Sequence, residues 1–456
     1  MVHRTTKLMR CSFLLLVIML YTCSLLSRPA RASQVEILIV TSSQLLRPVN
    51  ELAEFKNSTG VLTVVRTTDN IGVRYHGRDM PEKIRNCIRD LHESLGVRWI
   101  ILAGDVEHVP TRLIYNPEES WVSAYPEEYV ATDYYYAGLH GDWDADRDGK
   151  FGENQTNCAE GIDEADFTIE VSVGRLPAST PDEMKMIVDK IRAYVVSQGA
   201  DEQRFRRVLF FAAHVDKPFD SEKYCRYVYD QSGMGSVATP RLTLSMKSGN
   251  LSMGSAKQYF NDGYGIVVST GHGNPYAIYA DGKTYFDTAA ARAASNAPIY
   301  SFWFMTGCNN GAFDEVQDCL AEVLLYSPGG CIGVIAHSRI SWGKRPFGMW
   351  YPESGEFDYV WRFWKKVFSG EVSNPGEALY RTKEDHALRS QYTKYLQCEW
   401  VRRDLFGVNL IGDPSIDLVK HVVILEFSDS SLFIAVFTTM LTTSLLLKRK
   451  KSTLMA

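Results

Sequence analysis

The sequence contains no internal repeat and no low-complexity tract, which excludes solenoid and fibrous architectures. It has no basic excess either, since the formal net charge is -5 at pH 7. Setting aside the five basic residues before Ser33 and the four after Leu447 leaves 40 basic against 54 acidic residues, a net charge of -14. Phosphate binding needs a basic face, so nucleic acid is excluded as a partner. The cysteines lack an even count. Of nine, two lie in the N-terminal apolar run, and Cys87, Cys158, Cys225, Cys308, Cys319, Cys331 and Cys398 remain. In an oxidising compartment an odd number points to one free thiol beside up to three bridges, with their connectivity open. The alternative is that most of the seven are buried thiols.

Long apolar runs are missing except near the two ends. Residues 1–32 read as a signal peptide. Arg4, Lys7 and Arg10 precede the apolar run Cys11 to Leu26, and Ala30-Arg31-Ala32 forms a small-x-small cleavage site. In the segment 421–456, Ser431 to Leu447 is uncharged and mostly apolar and is followed by Lys448-Arg449-Lys450-Lys451. Such a run predicts a transmembrane anchor, with the basic cluster as its cytoplasmic tail. A cell-membrane protein with a single span and an extracellular catalytic domain is therefore expected.

Between the ends, apolar strands alternate with helical stretches. Val35 to Val40, Trp99 to Ala103, Thr168 to Val173, Val208 to Ala213, Gly265 to Thr270, Ile299 to Phe304 and Cys331 to Ala336 are near-continuous apolar runs. Runs of this kind predict a parallel sheet covered on both faces. Pro81 to Leu95 has helical spacing. A second helix is legible in detail, with Thr180 as cap, Pro181 in the first turn and Glu183 closing a capping box. Its apolar face is Met184, Ile187, Val188, Ile191 and Val195. The length predicts two subdomains, an N-terminal α/β unit over 33–165 and a catalytic α/β unit over 166–420.

Two of the runs end in reactive residues beside glycine. Gly265 to Thr270 leads into Gly271-His272-Gly273-Asn274, and Ile299 to Phe304 leads into Met305-Thr306-Gly307-Cys308-Asn309-Asn310-Gly311. Open α/β sheets place chemistry at the carboxyl ends of their strands. If the two strands are neighbours, a thiol meets an imidazole, the pair that a cysteine nucleophile requires. Gly273 is expected to let backbone approach a substrate carbonyl, with its N–H and that of Cys308 forming an oxyanion hole.

The His-Gly and Thr-Gly-Cys segments resemble the dyad of clan CD cysteine peptidases, which include caspases, legumain and the gingipains. Three more segments are similar to the gingipain family: Ile101 to Arg112, Glu170 to Ala178 and Asn409 to Ser415. The resemblance spans most of residues 100–415. It implies a caspase-like α/β fold, a parallel-sheet sandwich with helices on both faces, and endopeptidase activity through a thioester. By position it makes Cys308 the nucleophile, His272 the base and Glu170 the carboxylate that orients the imidazole. It also implies bound calcium and a preference for basic P1 residues, for which Asp182 is the carboxylate in the matching region.

The acidic stretch Asp142-Trp-Asp144-Ala-Asp146-Arg-Asp148-Gly149-Lys-Phe-Gly-Glu153 places oxygen ligands at alternate positions and then turns at glycine. An EF-hand would carry Glu where Gln155 stands. A shorter structural calcium loop is expected, with Asp142, Asp144, Asp146 and Asp148 as ligands and Glu153 or Asp163 completing the shell. Two other functions are compatible with these residues. One is a clan CD transamidase or ligase, and the other an inactive calcium-binding surface adhesin.

Overall fold

The computed structural model describes residues 34–116, 129–154, 162–198, 205–215, 219–237, 241–343, 355–392 and 399–419. The expected signal peptide and membrane span, Cys158 and Cys398 lie outside them. Among the described residues no helix is long and apolar enough to cross a membrane.

The apolar runs form strands: β1 (Ile37–Thr41), β2 (Thr63–Thr67), β3 (Trp99–Ala103), β4 (Arg112–Tyr115), β5 (Tyr129–Thr132), β6 (Ser172–Leu176), β7 (Val208–Ala212) and β8 (Arg241–Ser245). The second half of the chain adds β9 (Ile266–Thr270), β10 (His272–Asn274), β11 (Ala277–Ala280), β12 (Lys283–Asp287), β13 (Ser301–Met305), β14 (Cys331–His337) and β15 (Val408–Gly412). Ten of them join one sheet in the order β2-β1-β3-β6-β15-β14-β13-β9-β7-β8. A strand buried on both faces needs no polar alternation, which is why β7, β9, β13 and β14 are apolar throughout or nearly so and wholly buried.

The period of two still decides which helix each side chain meets. Phe302 and Phe304 pack on Phe363 of the helix Gly355–Phe368, with ring centroids 5.7 and 5.5 Å apart. Trp303, between them, points the other way onto Phe260 and Phe286. The sheet is thus covered on both faces, as expected. Two helix starts follow their caps. Asp79 accepts from Glu82 N before the helix Met80–Leu95, which ends at Gly96 in the left-handed region. The capping box at Thr180 forms as expected, with Glu183 N donating to Thr180 Oγ1 and Thr180 N donating to Glu183 Oε2.

Two features depart from the expectation. The sheet is not parallel throughout, because β15 pairs antiparallel to β14 and parallel to β6. The strands β2, β1, β3, β6 and β15 therefore run opposite to β14, β13, β9, β7 and β8. The described residues also fall within one compact unit, and the β3–β6 pairing carries the sheet across the expected boundary at 165/166. The thiols of Cys87, Cys225, Cys308, Cys319 and Cys331 are all free, and four of the five are buried in the core. Among the described residues the reading as buried thiols holds, and the reading as bridges does not.

Candidate active site

The strands β9 and β13 are direct parallel neighbours, with Phe302 opposite Ile266 and Met305 opposite Ser269. Their carboxyl ends deliver His272 and Cys308 to the same edge of the sheet. Both residues are half-buried, and the turns around them touch. A Cβ placed on Gly273 would lie 2.5 Å from the Cys308 carbonyl oxygen and 2.5 Å from Asn310 Oδ1. One placed on Gly307 would lie 3.4 Å from Gly273 Cα. No side chain fits in either place, so glycine at both positions is what lets the two turns meet. His272 opens β10, which pairs with β11 in a hairpin placing His272 opposite Tyr279. Among the described residues nothing accepts from the Cys308 N–H, which leaves this donor available at the strand end.

Behind Cys308 lies a buried acidic layer. Cys308 Sγ is 3.8 Å from the Ser341 carbonyl oxygen and 3.9 Å from Ser341 Oγ. Ser341 Oγ donates to Glu356 Oε2 at 2.7 Å, and Gly307 N donates to the same oxygen at 3.1 Å. Burial pushes the Glu356 carboxyl up to about 7, against the pull of these two hydrogen bonds. Asp404 accepts from Trp342 N at 2.9 Å, and burial holds its carboxyl well above the usual range. Burial also pushes the Cys308 thiol up to about 12, with the charges of Glu356 and then Asp404 adding to the effect. His337 lies 3.9 Å from Glu356, but burial drives its imidazole down to about 3, so the contact is not an ion pair at neutral pH. A thiol pushed up in this way reacts as a nucleophile only where a base is brought to it.

The structure does not bring every expected residue to this site. Glu170 precedes β6, four strand spacings from β9, or roughly 19 Å at about 4.8 Å per strand. Its carboxylate accepts instead from Leu139 N at 2.8 Å, so it does not orient the imidazole of His272. Asp182 lies farther away still. It follows the carboxyl end of β6, which is the opposite edge of the sheet because β6 runs against β13. There it is exposed in the first turn of the helix Pro181–Gln198. Gly273 is where it was expected, but its bare Cα faces Asn310 and the Cys308 carbonyl, so close approach of the nucleophile turn accounts for the glycine. Sequence reasoning missed Asn310, Ser341, Glu356 and Asp404. Asn310 carried a signal in its place within the strand-end turn. Glu356 carried none, because an acid in the first turn of a helix reads as a partner of the helix dipole.

The acidic stretch folds back on itself at Arg147, Gly149 and Gly152, all at positive φ. Carboxylate oxygens of Asp144, Asp146 and Asp163, and of Asp146, Asp148 and Glu153, lie within 4.8 Å of one another. Asp144, Glu153 and Asp163 are buried. Asp142 is diverted from this group, since its Oδ1 accepts from Arg78 at 2.9 Å. Burial pushes the Asp163 carboxyl up to about 6, with the charge of Asp144 among the causes.

Comparison with known proteins bears on this geometry. The pattern of peptidase family C25 matches residues 30–419. An uncharacterised protein of Archaeoglobus fulgidus is 21% identical over 308 residues, covering 61% of this chain and 67% of that protein. The crystal structure of gingipain R, described as an Arg-specific cysteine proteinase, aligns with a TM-score of 0.60 at 16% identity, covering 85% of this chain and 79% of that one. The complex of Porphyromonas gingivalis RgpB pro- and mature domains aligns with a TM-score of 0.61 at 16% identity, covering 84% of this chain and 79% of that one. At such identity the likeness is one of fold.

Glu356→Gln tests the acidic layer. Glutamine keeps an acceptor for Gly307 N but removes the charge beside the thiol. Alkylation of Cys308 by iodoacetamide should reach its half-maximal rate at lower pH than in the wild type. Stability should respond as well. The carboxyl moves from 4.5 to about 7 on folding, so the folded state keeps a proton that the unfolded chain has lost. The stability this contributes is complete below pH 4.5 and is lost as pH rises towards about 7. Urea unfolding should show the variant losing less stability across that window, by on the order of 3 kcal/mol. An unchanged alkylation profile would place Glu356 outside the field of the thiol.

Proposed function

The chain belongs to peptidase family C25, and on that premise we propose that Cys308 and His272 are the nucleophile and base of its peptide-bond hydrolysis. As a member of the family it is a cysteine-type endopeptidase whose substrate is a peptide or protein. The observation that carries the assignment is the meeting of the two glycine turns at the ends of β9 and β13. In the mechanism, His272 takes the Cys308 proton and the sulphur attacks the scissile carbonyl carbon. The N–H groups of Cys308 and Gly273 receive the oxyanion. The amine leaves with the proton from the imidazolium, and water activated by His272 then releases the acid from the thioester.

The basic P1 preference rests on the named specificity of gingipain R. Asp182 is withdrawn as its carboxylate. Secretion and membrane anchoring rest on residues 1–32 and on the apolar run 431–447 with its four following cations.

The acidic loop fits calcium. Its donors are hard carboxylate oxygens, five of them converge and three are buried, and Arg78 on Asp144 and Lys150 on Asp148 neutralise the cluster only in part. Asp144, Asp146, Asp148, Glu153 and Asp163 would hold the ion, which would brace the loop and take no part in the reaction.

Cys308→Ala should abolish hydrolysis of a peptide library while moving the thermal midpoint by no more than a few degrees. His272→Ala should lower kcat/KM by at least about a thousandfold and leave a residual rate measurable at high enzyme concentration, because Cys308 and the oxyanion donors remain. Residual activity of Cys308→Ala above a small fraction of the wild type would place the nucleophile elsewhere. Within the library, cleavage after Arg or Lys should exceed cleavage after Asp by at least about tenfold in kcat/KM, and a flat profile would remove the basic preference.

The full chain should stay in the membrane fraction after carbonate washing, whereas a chain ending at Val419 should not. Equal release of both would leave the anchor without support.

Chelation should lower the thermal midpoint and added calcium restore it, since an ion at a hundredfold excess over Kd stabilises by about 2.7 kcal/mol. Binding should tighten as pH rises through about 6, where Asp163 gives up its proton. Calorimetric titration of the Asp146→Ala, Asp148→Ala double variant is the control, and binding equal to the wild type would remove the loop from consideration.

A further inference from the structure

We propose that Asn310 is the positioning residue that sets His272 against Cys308. The inference rests on the assignment of those two residues as base and nucleophile. Asn310 is fully buried, two residues beyond the nucleophile. Both hydrogens of its side-chain amide are committed to the hairpin that begins at His272. Nδ2 donates to the Asn274 carbonyl at 2.7 Å and to the Ala277 carbonyl at 3.0 Å. Asn274 and Ala277 face each other in the β10–β11 register, so the amide grips the closed end of the hairpin on both of its strands.

The orientation of the amide follows from its partners. Turned over, it would set an oxygen against two carbonyl oxygens and lose both bonds. The amide oxygen therefore points the other way, into the gap between Gly273 and Gly307. There it is buried and has no hydrogen-bond partner. It lies 2.5 Å from the place of a Gly273 Cβ and 2.7 Å from that of a Gly307 Cβ. One side chain thus fills the space that two glycines leave open, one beside the base and the other beside the nucleophile. A buried acceptor left unpaired is uncommon and calls for a reason, and here the reason is spacing.

The grip transmits order because Asn310 is itself anchored. Its carbonyl accepts from Ala321 N at 3.1 Å, and Gly311 N donates to the His337 carbonyl at 2.9 Å. The nucleophile turn is therefore fastened to β14 and to the helix Leu320–Tyr326. The hairpin carrying His272 leaves the sheet at Gly271, where φ is +146°, a region with few restraints for glycine. The side chain of Asn310 passes the anchoring of the first element to the second. It touches no reacting atom, so its effect on rate runs through the placement of His272.

A double-mutant cycle tests this on the full chain. Asn310→Ala alone should lower kcat/KM about a hundredfold, mostly in kcat, the scale of a displacement of about 1 Å at a catalytic group. Placed in a His272→Ala background, the same change should cost less than about twofold, because no imidazole remains to be positioned. Asn310→Asp fills the same volume but turns oxygens towards two carbonyls. At neutral pH it should be impaired like Asn310→Ala, and its activity relative to the wild type should recover in part at lower pH, where a protonated carboxyl regains one donor. Where the alanine variant does not fold, the cycle is run with Asn310→Asp. Effects that multiply in the cycle would show that Asn310 acts independently of His272 and would overturn the proposal. Full activity in a folded variant, or failure of both variants to fold, would overturn it as well. Retained activity of Cys308→Ala is a separate outcome, and it would sink the assignment of the nucleophile on which the inference rests.

Discussion

A proton passes from a thiol to an imidazole only when the two side chains come within hydrogen-bond reach, which the backbones carrying them must permit. That constraint organises the site. Parallel pairing of β9 with β13 puts His272 and Cys308 at one edge, but neighbouring strands alone leave their terminal turns a strand spacing apart, about 4.8 Å. The remaining distance closes because Gly273 and Gly307 present bare Cα atoms to each other and because Asn310 fills the gap beside them. Any larger residue at either glycine would part the turns. The apolar strands, the helices on both faces and the aromatic packing around Trp303 hold the two strand ends still enough for this fit to persist.

The direction of the strands decides which other residues share the edge. Apolar runs announce strands, and helical crossovers between them announce parallel neighbours, so β9, β13 and the edge shared by His272 and Cys308 were legible in the sequence. The reversal at β15 was not. Val408 to Gly412 carries no mark of orientation, because burial on both faces looks the same for either direction. Yet this strand turns half of the sheet around. The carboxyl end of β6 is thereby sent to the far edge, taking Asp182 with it. Glu170 stays at the near edge but several strands to the side. Asp182 was read correctly as part of a helix start, Glu170 lies just before β6 and not in a strand, and both were misplaced because lateral order and direction are tertiary facts.

Residues that serve the nucleophile from a distance were hidden for a related reason. Ser341, Glu356 and Asp404 come from a loop and two helices separated in sequence from Cys308, and each reads locally as something ordinary. Glu356 in a first helical turn satisfies the dipole rule on its own. Only the packed structure shows that its carboxylate also takes the N–H of Gly307 and the hydroxyl of Ser341. Asn310 stood in plain view in the motif, but its value lies in the two carbonyls it holds, and these belong to a turn more than thirty residues away.

The electrostatics of the site then follow from its packing. A buried carboxylate beside a thiol makes the thiolate harder to form, as does burial itself, and both act on Cys308. A cysteine peptidase that relied on an intrinsically acidic thiol would avoid such neighbours. Here the acidic layer fastens the nucleophile turn from behind through the Gly307 N–H. The cost is a thiol that stays protonated until a base takes the proton directly. On the proposed assignment, burial of the thiol and the carboxylate beside it make the reaction depend on the placement of His272. Rigidity on one side of the nucleophile and precise placement on the other are two parts of one requirement, and the glycine contact is where they meet.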